Sequence, residues 1–517
     1  MNQKALIIFV AVLASLLEII DTSIVNVAIP TMMGNLGATI DEISMIITGY
    51  AIANAVVLPV SSWLSERIGR RPYYLGCILA FTATSVACGL APNLTTLIIF
   101  RIFQGLMGGA LLPTSQALIY EQFPPEKAGI AGAIFGMSVM IGPTLGPVLG
   151  GFLTDEYGWR SIFNINLPLG ILAFLVGSAV IWNRKKEAHE QQGHQKFDAV
   201  GLALLVAGIG CLQYVLERGE ANDWFDSQAI CFTTFISLAC LPLFLWWENR
   251  VKHPIINVKL FLSPIVQDGV LMMSFLGFYL YGVVFLLPIF VVRTFHFDAT
   301  QTGMLFIPGS ILTGAMMPFI GKRMHAGTSP KLLIAVGFVC ILISLYMMTL
   351  LSPLSTQNDL LAVLFMRGFA MAFLFVPINS SILSQFKGAT LGQVSGLLNL
   401  FRQLGGSIGI ALVSTLLIKN SHQNYLDLAS NISALNPFVQ ANFWQNKLAF
   451  AHKFSTSLGF GNGTSAAYQS LDFRIQNQVF MLSFQQLIWF IFLAFSLAFF
   501  PIYRLKIGKK IDIVDPH

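Results

Sequence analysis

Charge is what this sequence has least of. Asp, Glu, Lys and Arg make up 10% of its 517 residues, against about 25% in an average soluble chain. A water-facing surface of the size a soluble fold would need cannot be built from so few. Paired metal-ligand spacings are missing too. The eight histidines form no H-E-x-x-H pair, and the six cysteines fall inside apolar runs without C-x-x-C spacing, which argues against a metal centre and against a disulfide framework. There is no phosphate-binding G-x-x-x-x-G-K-[ST] loop, so direct ATP drive is not expected. Nor does any nucleophile and base pattern suggest an enzyme. Long polar stretches are few, leaving no room for a large soluble domain.

What fills the chain is apolar sequence: 55% hydrophobic residues and a mean hydropathy of +0.71. A helical span needs about 20 apolar residues. Apolar runs lie near 5–30, 43–64, 73–91, 95–119, 127–153 and 161–182, then 198–216 and 228–248, then 265–292, 301–321, 331–351, 360–385, 390–418 and 480–503. This six-two-six pattern predicts an all-α polytopic membrane protein with 14 spans. Residues 1–183 form an N-terminal six-helix bundle. Residues 184–264 hold a polar linker, two extra central helices and a basic connector, and 265–517 form a C-terminal six-helix bundle. The first run does not read as a cleaved signal peptide, because it carries Glu18 and Asp21, lacks a small-residue cleavage site and precedes many more spans.

The net charge of +6 does not point to nucleic acid, because the cations sit on alternate loops. With the amino terminus inside, inner loops and termini hold 20 Lys and Arg and outer loops hold 7, which places both termini in the cytoplasm. The outer segment 420–478 is the one sizeable extracytoplasmic element. Phe438, Phe443, Trp444, Phe450, Phe454, Phe460 and Phe473 make it too aromatic for a plain linker. It either docks a partner or packs on the bundle mouth.

Some residues sit where only function or a partner would justify them. Glu18 and Asp21 lie in LLEIIDTSIVNVAIP, where a carboxylate costs about 2.5–3.5 kcal/mol on insertion scales and normally faces a cavity or a partner. Three residues apart, they share a helix face, a setting suited to binding and releasing a proton. A structural ion pair is the plainer alternative. Arg101, in LIIFRIFQGLMGGALLP, keeps its charge and can tune a nearby carboxylate; otherwise it snorkels or caps. Glu66, Arg67, Gly69, Arg70 and Arg71 crowd a short inner turn, where they satisfy the charge rule or lock helix ends by contacts that break as the protein changes state. IGPTLGPVLGG supplies Gly142, Gly146, Pro147, Gly150 and Gly151, a candidate hinge or packing seam. A faint repeat links Arg101 and Pro113 in the fourth span to Arg367 and Pro377 in the fourth span of the last six.

At these residues the sequence resembles the major facilitator superfamily, in particular its fourteen-span drug:proton antiporters of the EmrB/QacA type. DTSIVNVAIP is similar to the group's first-span signature. SWLSERIGRR is similar to G-x-L-x-D-R-x-G-R-R, with Ser62 for the glycine and Glu66 for the aspartate. RIFQG resembles the fourth-span arginine motif, and GPTLGPVLGG the antiporter motif G-x-x-x-G-P-x-x-G-G. LERGEANDWF and NLFRQLGGSIGIA bring the resemblance closest to the EmrB branch. The resemblance implies the major facilitator fold and proton-coupled export of hydrophobic drugs or toxic compounds. Asp21 would take the proton and Arg101 would couple it to the conformational switch, while Glu18 would assist or attract cationic cargo. It implies no cofactor beyond the proton gradient, and a bacterial inner membrane with a periplasmic adaptor protein and an outer-membrane channel as partners. Cargo is expected near the midplane between the bundles, with Gln116, Met272, Met273, Phe275, Tyr279, Asn379, Asn399 and Arg402 as candidate lining. Arg402 would suit anionic solutes. Two alternatives stand beside this: a dedicated exporter of one endogenous metabolite, such as a siderophore or fatty acid, and a non-transporting membrane receptor or assembly protein.

The topology gives a direct expectation. Green fluorescent protein fused after His517 should fluoresce and alkaline phosphatase fused there should be inactive; the reverse pair would invert the orientation.

Overall fold

The computed structural model describes residues 3–181, 198–297, 299–430 and 463–504, with positions 441 and 445. Fourteen of its helices are long and apolar enough to cross a membrane. They are α1 Gln3–Leu36, α2 Ile40–Ile68, α3 Arg70–Gly89, α4 Leu94–Glu121, α5 Ala128–Tyr157 and α6 Ser161–Val180; α7 Ala199–Arg218 and α8 Gln228–Glu248; then α9 Pro264–Phe295, α10 Ala299–His325, α11 Pro330–Thr349, α12 Gln357–Leu383, α13 Gly388–Ser430 and α14 Gly463–Ser496. No strand occurs among the described residues. Local sequence sets several starts. Asn93 caps α4 by accepting the Thr96 amide at 2.9 Å, and Thr356 with Asp359 forms a capping box on α12.

The duplication is visible in the packing. In the first bundle α1 lies along α5 and α2 along α4; in the last, α9 lies along α13 and α10 along α12. An offset of eight helices therefore maps one bundle onto the other, and the faint arginine and proline echo belongs to a real structural repeat. The bundles meet through the equivalent pairs α5 with α10 and α2 with α13.

Helices α7 and α8 form a hairpin outside the α2 and α13 seam. Gln213 donates to Ser407 at 2.7 Å and Trp224 to Thr415 at 2.9 Å, while Arg218 reaches Ser44 and pairs with Asp41 at 3.6 Å. The hairpin thus touches both bundles. Its far side offers Phe232, Phe235 and Leu238, each at least 65% exposed, a face suited to lipid.

The segment 420–478 is shorter than the polarity of its sequence suggests. α13 runs on to Ser430 and α14 starts at Gly463, because the two extensions bond each other: Asn424 donates to Ser483 at 2.9 Å and Tyr425 to Asp472 at 3.3 Å. A helix pair in water needs no apolar surface all round. Phe473 lies on α14 and is exposed; the other six aromatics lie outside the described residues.

Glycine marks the closest helix approach. A Cβ on Gly142 or Gly146 would collide with Ile19 or Ser23, and one on Gly150 would sit 2.9 Å from the Ile24 carbonyl. The seam therefore seats α5 directly on the turns of α1 that surround Asp21. Gly76 has nothing within 4 Å. Gly146→Leu should lower the melting temperature of the purified protein, whereas Gly76→Leu should not; equal effects would remove the seam's significance.

Candidate functional site

Asp21 and Arg101 meet in the middle of the first bundle, 0% and 1% exposed, with 2.5 Å between carboxylate oxygen and guanidinium nitrogen. Both oxygens of the carboxylate are committed. One takes the Arg101 bond; the other accepts from Gln104 at 2.8 Å and from Asn166 at 3.0 Å. Arg101 also donates to the Gln104 side chain at 2.8 Å and lies over the Tyr50 ring, 4.2 Å from its centroid. Asn166 donates in turn to Ser85. A buried ion pair survives only with such support. Close packing holds the support in place: a Cβ on Gly105 would lie 2.5 Å from the Tyr50 carbonyl, so α4 can carry Arg101 this near to α2 only without a side chain there.

Glu18, one turn away, faces elsewhere. Its carboxylate accepts from Asn54 at 3.0 Å, and Arg402 of α13, in the other bundle, is near enough to act on it electrostatically. Arg402 donates to Tyr281 and to Asn399, both at 3.3 Å. The two acids share a helix but serve different neighbourhoods, one inside a bundle and one at the boundary between bundles.

The two ends of the molecule differ. At the basic end, where Arg67, Arg70 and Arg71 lie, the bundles are sewn together. Gln116 donates to Asn379 at 2.8 Å and accepts from Asn399 at 2.7 Å and Ser395 at 2.6 Å. Tyr120 bonds Ser380 at 3.2 Å, and Gly129 lies against Gly321 backbone to backbone. Ser62 reaches the Ala389 carbonyl at 3.1 Å. Nearby, Arg70 grips both oxygens of Glu121 at 2.7 and 2.6 Å, and Arg71 holds the Ser178 carbonyl at 2.6 Å. Gly69 makes the turn at φ 96°, a backbone that a side chain would strain. Arg67 lies beside the Trp63 ring, and Glu66 takes a weak bond from Ser62.

Towards the opposite end the bundles part around a cavity of about 410 Å³, within the range of small-molecule sites. Asn26 and Pro30 of α1, Pro143 and Pro147 of α5, Leu280 and Val284 of α9, Phe306 and Thr313 of α10, and Arg367 and Met371 of α12 are among its walls. The two prolines of the glycine-rich motif thus face the cavity while its glycines face α1.

Residues 11–410 match the Major Facilitator Superfamily. The chain is also 32% identical to the multidrug export protein EmrB of Haemophilus influenzae over 479 residues, 92% of this chain and 91% of the relative. The chain belongs to the major facilitator superfamily. A fatty acid resistance protein, FarB of Neisseria gonorrhoeae, is 34% identical over 81% of this chain and 82% of its own. Among solved structures, the human organic anion transporter MFSD10 aligns with a TM-score of 0.60 at 14% identity, covering 94% of this chain and 100% of that one. The proton:xylose symporter XylE aligns at 0.59 and 14%, covering 93% and 94%. These two likenesses show the fold alone. The chain is a multi-pass membrane transporter of the superfamily, EmrB-like in sequence.

The candidate residues divide within this fold. Asp21, Arg101 and Gln104 come together, and Glu18 stands beside them. Gly142, Gly146 and Gly150 form the seam against α1, and Gly151 beside them is buried. None of the eight candidate lining residues lies on the cavity. Gln116, Asn379 and Asn399 are in the sealed network. Met273 packs under Asn379, Met272 and Phe275 border a small void inside the last bundle, Tyr279 is buried against Phe495, and Arg402 is enclosed near Glu18. The reason is geometric: Gln116, Asn379, Asn399 and Arg402 belong to the half of the interface that is closed here, while Met272, Phe275 and Tyr279 face the interior of the last bundle. Asn166 and Asn54 are not singled out by the sequence, where only their polarity within apolar runs could draw attention to them; Arg367, marked by the repeat, borders the cavity.

Removing one partner of a buried pair typically costs about 3–5 kcal/mol. Asp21→Ala and Arg101→Ala should each destabilise the protein on that order, and the double variant should lose clearly less than their sum. Simple additivity, read from unfolding curves, would show that the pair does not act as a unit.

Proposed function

We propose that this chain is a proton-coupled antiporter that exports hydrophobic small molecules across the bacterial inner membrane. The observation that carries the reading is the Asp21 and Arg101 pair at the centre of a transporter fold, seated against the helix that forms the bundle interface. Relatives named multidrug export proteins support the direction of transport. The excess of cations at the sealed end supports a cytoplasmic assignment of that end, so the cavity opens outward. A scaffold or receptor would gain nothing from inserting Glu18, Asp21 and Arg101 into a membrane.

The mechanism follows the packing. Asn26 on the cavity wall lies five residues beyond Asp21 on α1, about 7.5 Å along the helix axis. A proton arriving from outside neutralises Asp21 and removes the attraction that holds Arg101. α1 then shifts within the first bundle, and α5 moves with it because the seam at Gly142, Gly146 and Gly150 leaves no slack. The opposite face of α5 packs on α10 at Gly129 and Gly136, so the movement reaches the boundary between bundles. The network at Gln116, Asn379 and Asn399 opens, the cavity closes outside, and cargo enters from the cytoplasmic side. Proton release inside restores the pair and returns the outward state. Glu18 contributes by its attraction to Arg402 across the boundary, and the turn at Glu66, Arg67, Gly69, Arg70 and Arg71 latches the closed cytoplasmic end.

In this reading the extensions of α13 and α14 beyond the membrane, with exposed Leu426 and Phe473, receive a periplasmic adaptor that leads cargo to an outer-membrane channel. The fatty acid resistance relative favours a second reading, in which the cargo is one endogenous metabolite such as a fatty acid.

Reconstitution tests the coupling. In proteoliposomes an imposed pH gradient should drive accumulation of an apolar dye, and Asp21→Asn should abolish that accumulation. Undiminished uphill transport by Asp21→Asn would remove Asp21 from the proton path. A disulfide between Gly129→Cys and Gly321→Cys should stop transport reversibly.

A further inference from the structure

Away from the cavity and from the Asp21 pair, two buried carboxylates face each other at the foot of the central hairpin. Asp198 caps the start of α7, and Glu248 is the last residue of α8. They lie at the basic end of the molecule, since Arg218 at the far end of α7 pairs with Asp41 at the start of α2, while Arg67 stands at the end of α2. Asp198 is 8% exposed and Glu248 3%. A Cβ on Gly201 would stand 2.5 Å from Asp198 Oδ2 and 2.5 Å from Glu248 Oε1. The two oxygens therefore border one small space, left open by the missing side chain of Gly201.

Asp198 accepts the Gly201 amide at 2.8 Å and the Trp247 indole at 3.0 and 3.1 Å. Glu248 accepts the Ile256 amide through Oε2 at 3.2 Å. Its Oε1, enclosed and aimed at Asp198, has no hydrogen-bond partner. No cation pairs with either acid among the described residues. On the connector that follows α8, Arg250 lies over the Trp246 ring, and Lys252, His253 and Lys259 are exposed. At the end of α2, Glu66 bonds Ser62, Arg67 lies beside Trp63 and Arg70 grips Glu121; on α9, Asp268 is met by Arg504.

Two ionised carboxylates in this position would repel, and burial makes each charge costlier. One proton between them relieves both penalties and gives Oε1 its missing bond. A calcium ion would need about six to eight oxygen ligands, and no three acidic, histidine or cysteine side chains gather to hold a metal among the described residues. We infer that Asp198 and Glu248 bind one shared proton, at a site separate from Asp21, and that this proton fastens the connector between the hairpin and the last bundle. The connector folds back on the Glu248 to Ile256 bond, burying Ile255, Ile256 and Leu260, and leads into α9 at Pro264. Loss of the proton leaves two adjacent negative charges, pushes Glu248 from Asp198 and frees the connector. With the basic end in the cytoplasm, alkalinisation of the cytoplasm is the signal that loosens it.

Hydrogen exchange read by mass spectrometry tests this on the full-length protein in nanodiscs. After correction for the intrinsic rate, peptides covering 249–262 should exchange on the order of tenfold faster in mildly alkaline than in mildly acidic buffer. In Glu248→Gln the new amide can accept from Ile256 and donate to Asp198, so exchange should stay slow in both buffers. Asp198→Asn donates the other way and should behave the same, so misfolding of one variant leaves the other to decide. Wild-type exchange that ignores pH, or a pH dependence that persists in a folded Glu248→Gln or Asp198→Asn protein, would overturn the site. If the pair holds a metal ion instead, EDTA will speed exchange in acidic buffer or added calcium will slow it in alkaline buffer, and the proton assignment is wrong; indifference to both supports it. These measurements are made at equilibrium and without cargo. A failure of pH-driven transport would defeat the export reading without altering them.

Discussion

The rest of the structure depends on one constraint: a carboxylate and a guanidinium must share the dry centre of the first bundle. Neither Asp21 nor Arg101 is accessible, so each is tolerable only while the other is in place and the surrounding amides fill the remaining bonds. Gln104 and Asn166 do this from α4 and α6, with Ser85 of α3 bonding Asn166, and the small residues of α4 let those helices come close enough. The pair is therefore a device with two states. Intact, it draws α1 and α4 together; with Asp21 protonated, the attraction is gone and the same side chains no longer prefer the same arrangement.

What turns a local change into a global one is the absence of slack. α5 lies on α1 through glycines that have no room for a methyl group, and on α10 through further glycines on its other face. Contacts this tight leave little free space to absorb a displacement of the helix. The other seam, α2 with α13, is braced from outside by α7 and the turn that follows it, which bond to both bundles through Arg218, Gln213 and Trp224. The cavity opens on the unbraced side of the molecule, along α5 and α10. One seam between the bundles is thus reinforced from outside and the other is not.

Much of this is legible in the amino-acid sequence. Spans can be counted because a bilayer imposes a length and a polarity on every helix, and the rule holds even for α5 with Pro143 and Pro147 inside it. Asp21 and Arg101 stand out because their insertion cost demands a reason. The segment after α13 is harder, since helices in water need no apolar run and Asn424 and Tyr425 read as loop. Residues near the midplane are also misleading as cavity candidates. Gln116 and Asn399 are polar enough to line a site, but which half of the interface is open is a property of the conformational state, and one sequence encodes both states. Arg367 carries a signal only through its place in a repeat.

Spin-label distances across the cytoplasmic end test the central claim most directly. Labels at the exposed positions Lys127 and Ser329, on either side of the α5 and α10 contact, should lie close together at high pH and move apart as the pH falls and Asp21 takes up its proton. Asp21→Asn should show the long distance at every pH. A wild type whose distance ignores pH, or an Asp21→Asn protein that still follows pH as the wild type does, would contradict the account.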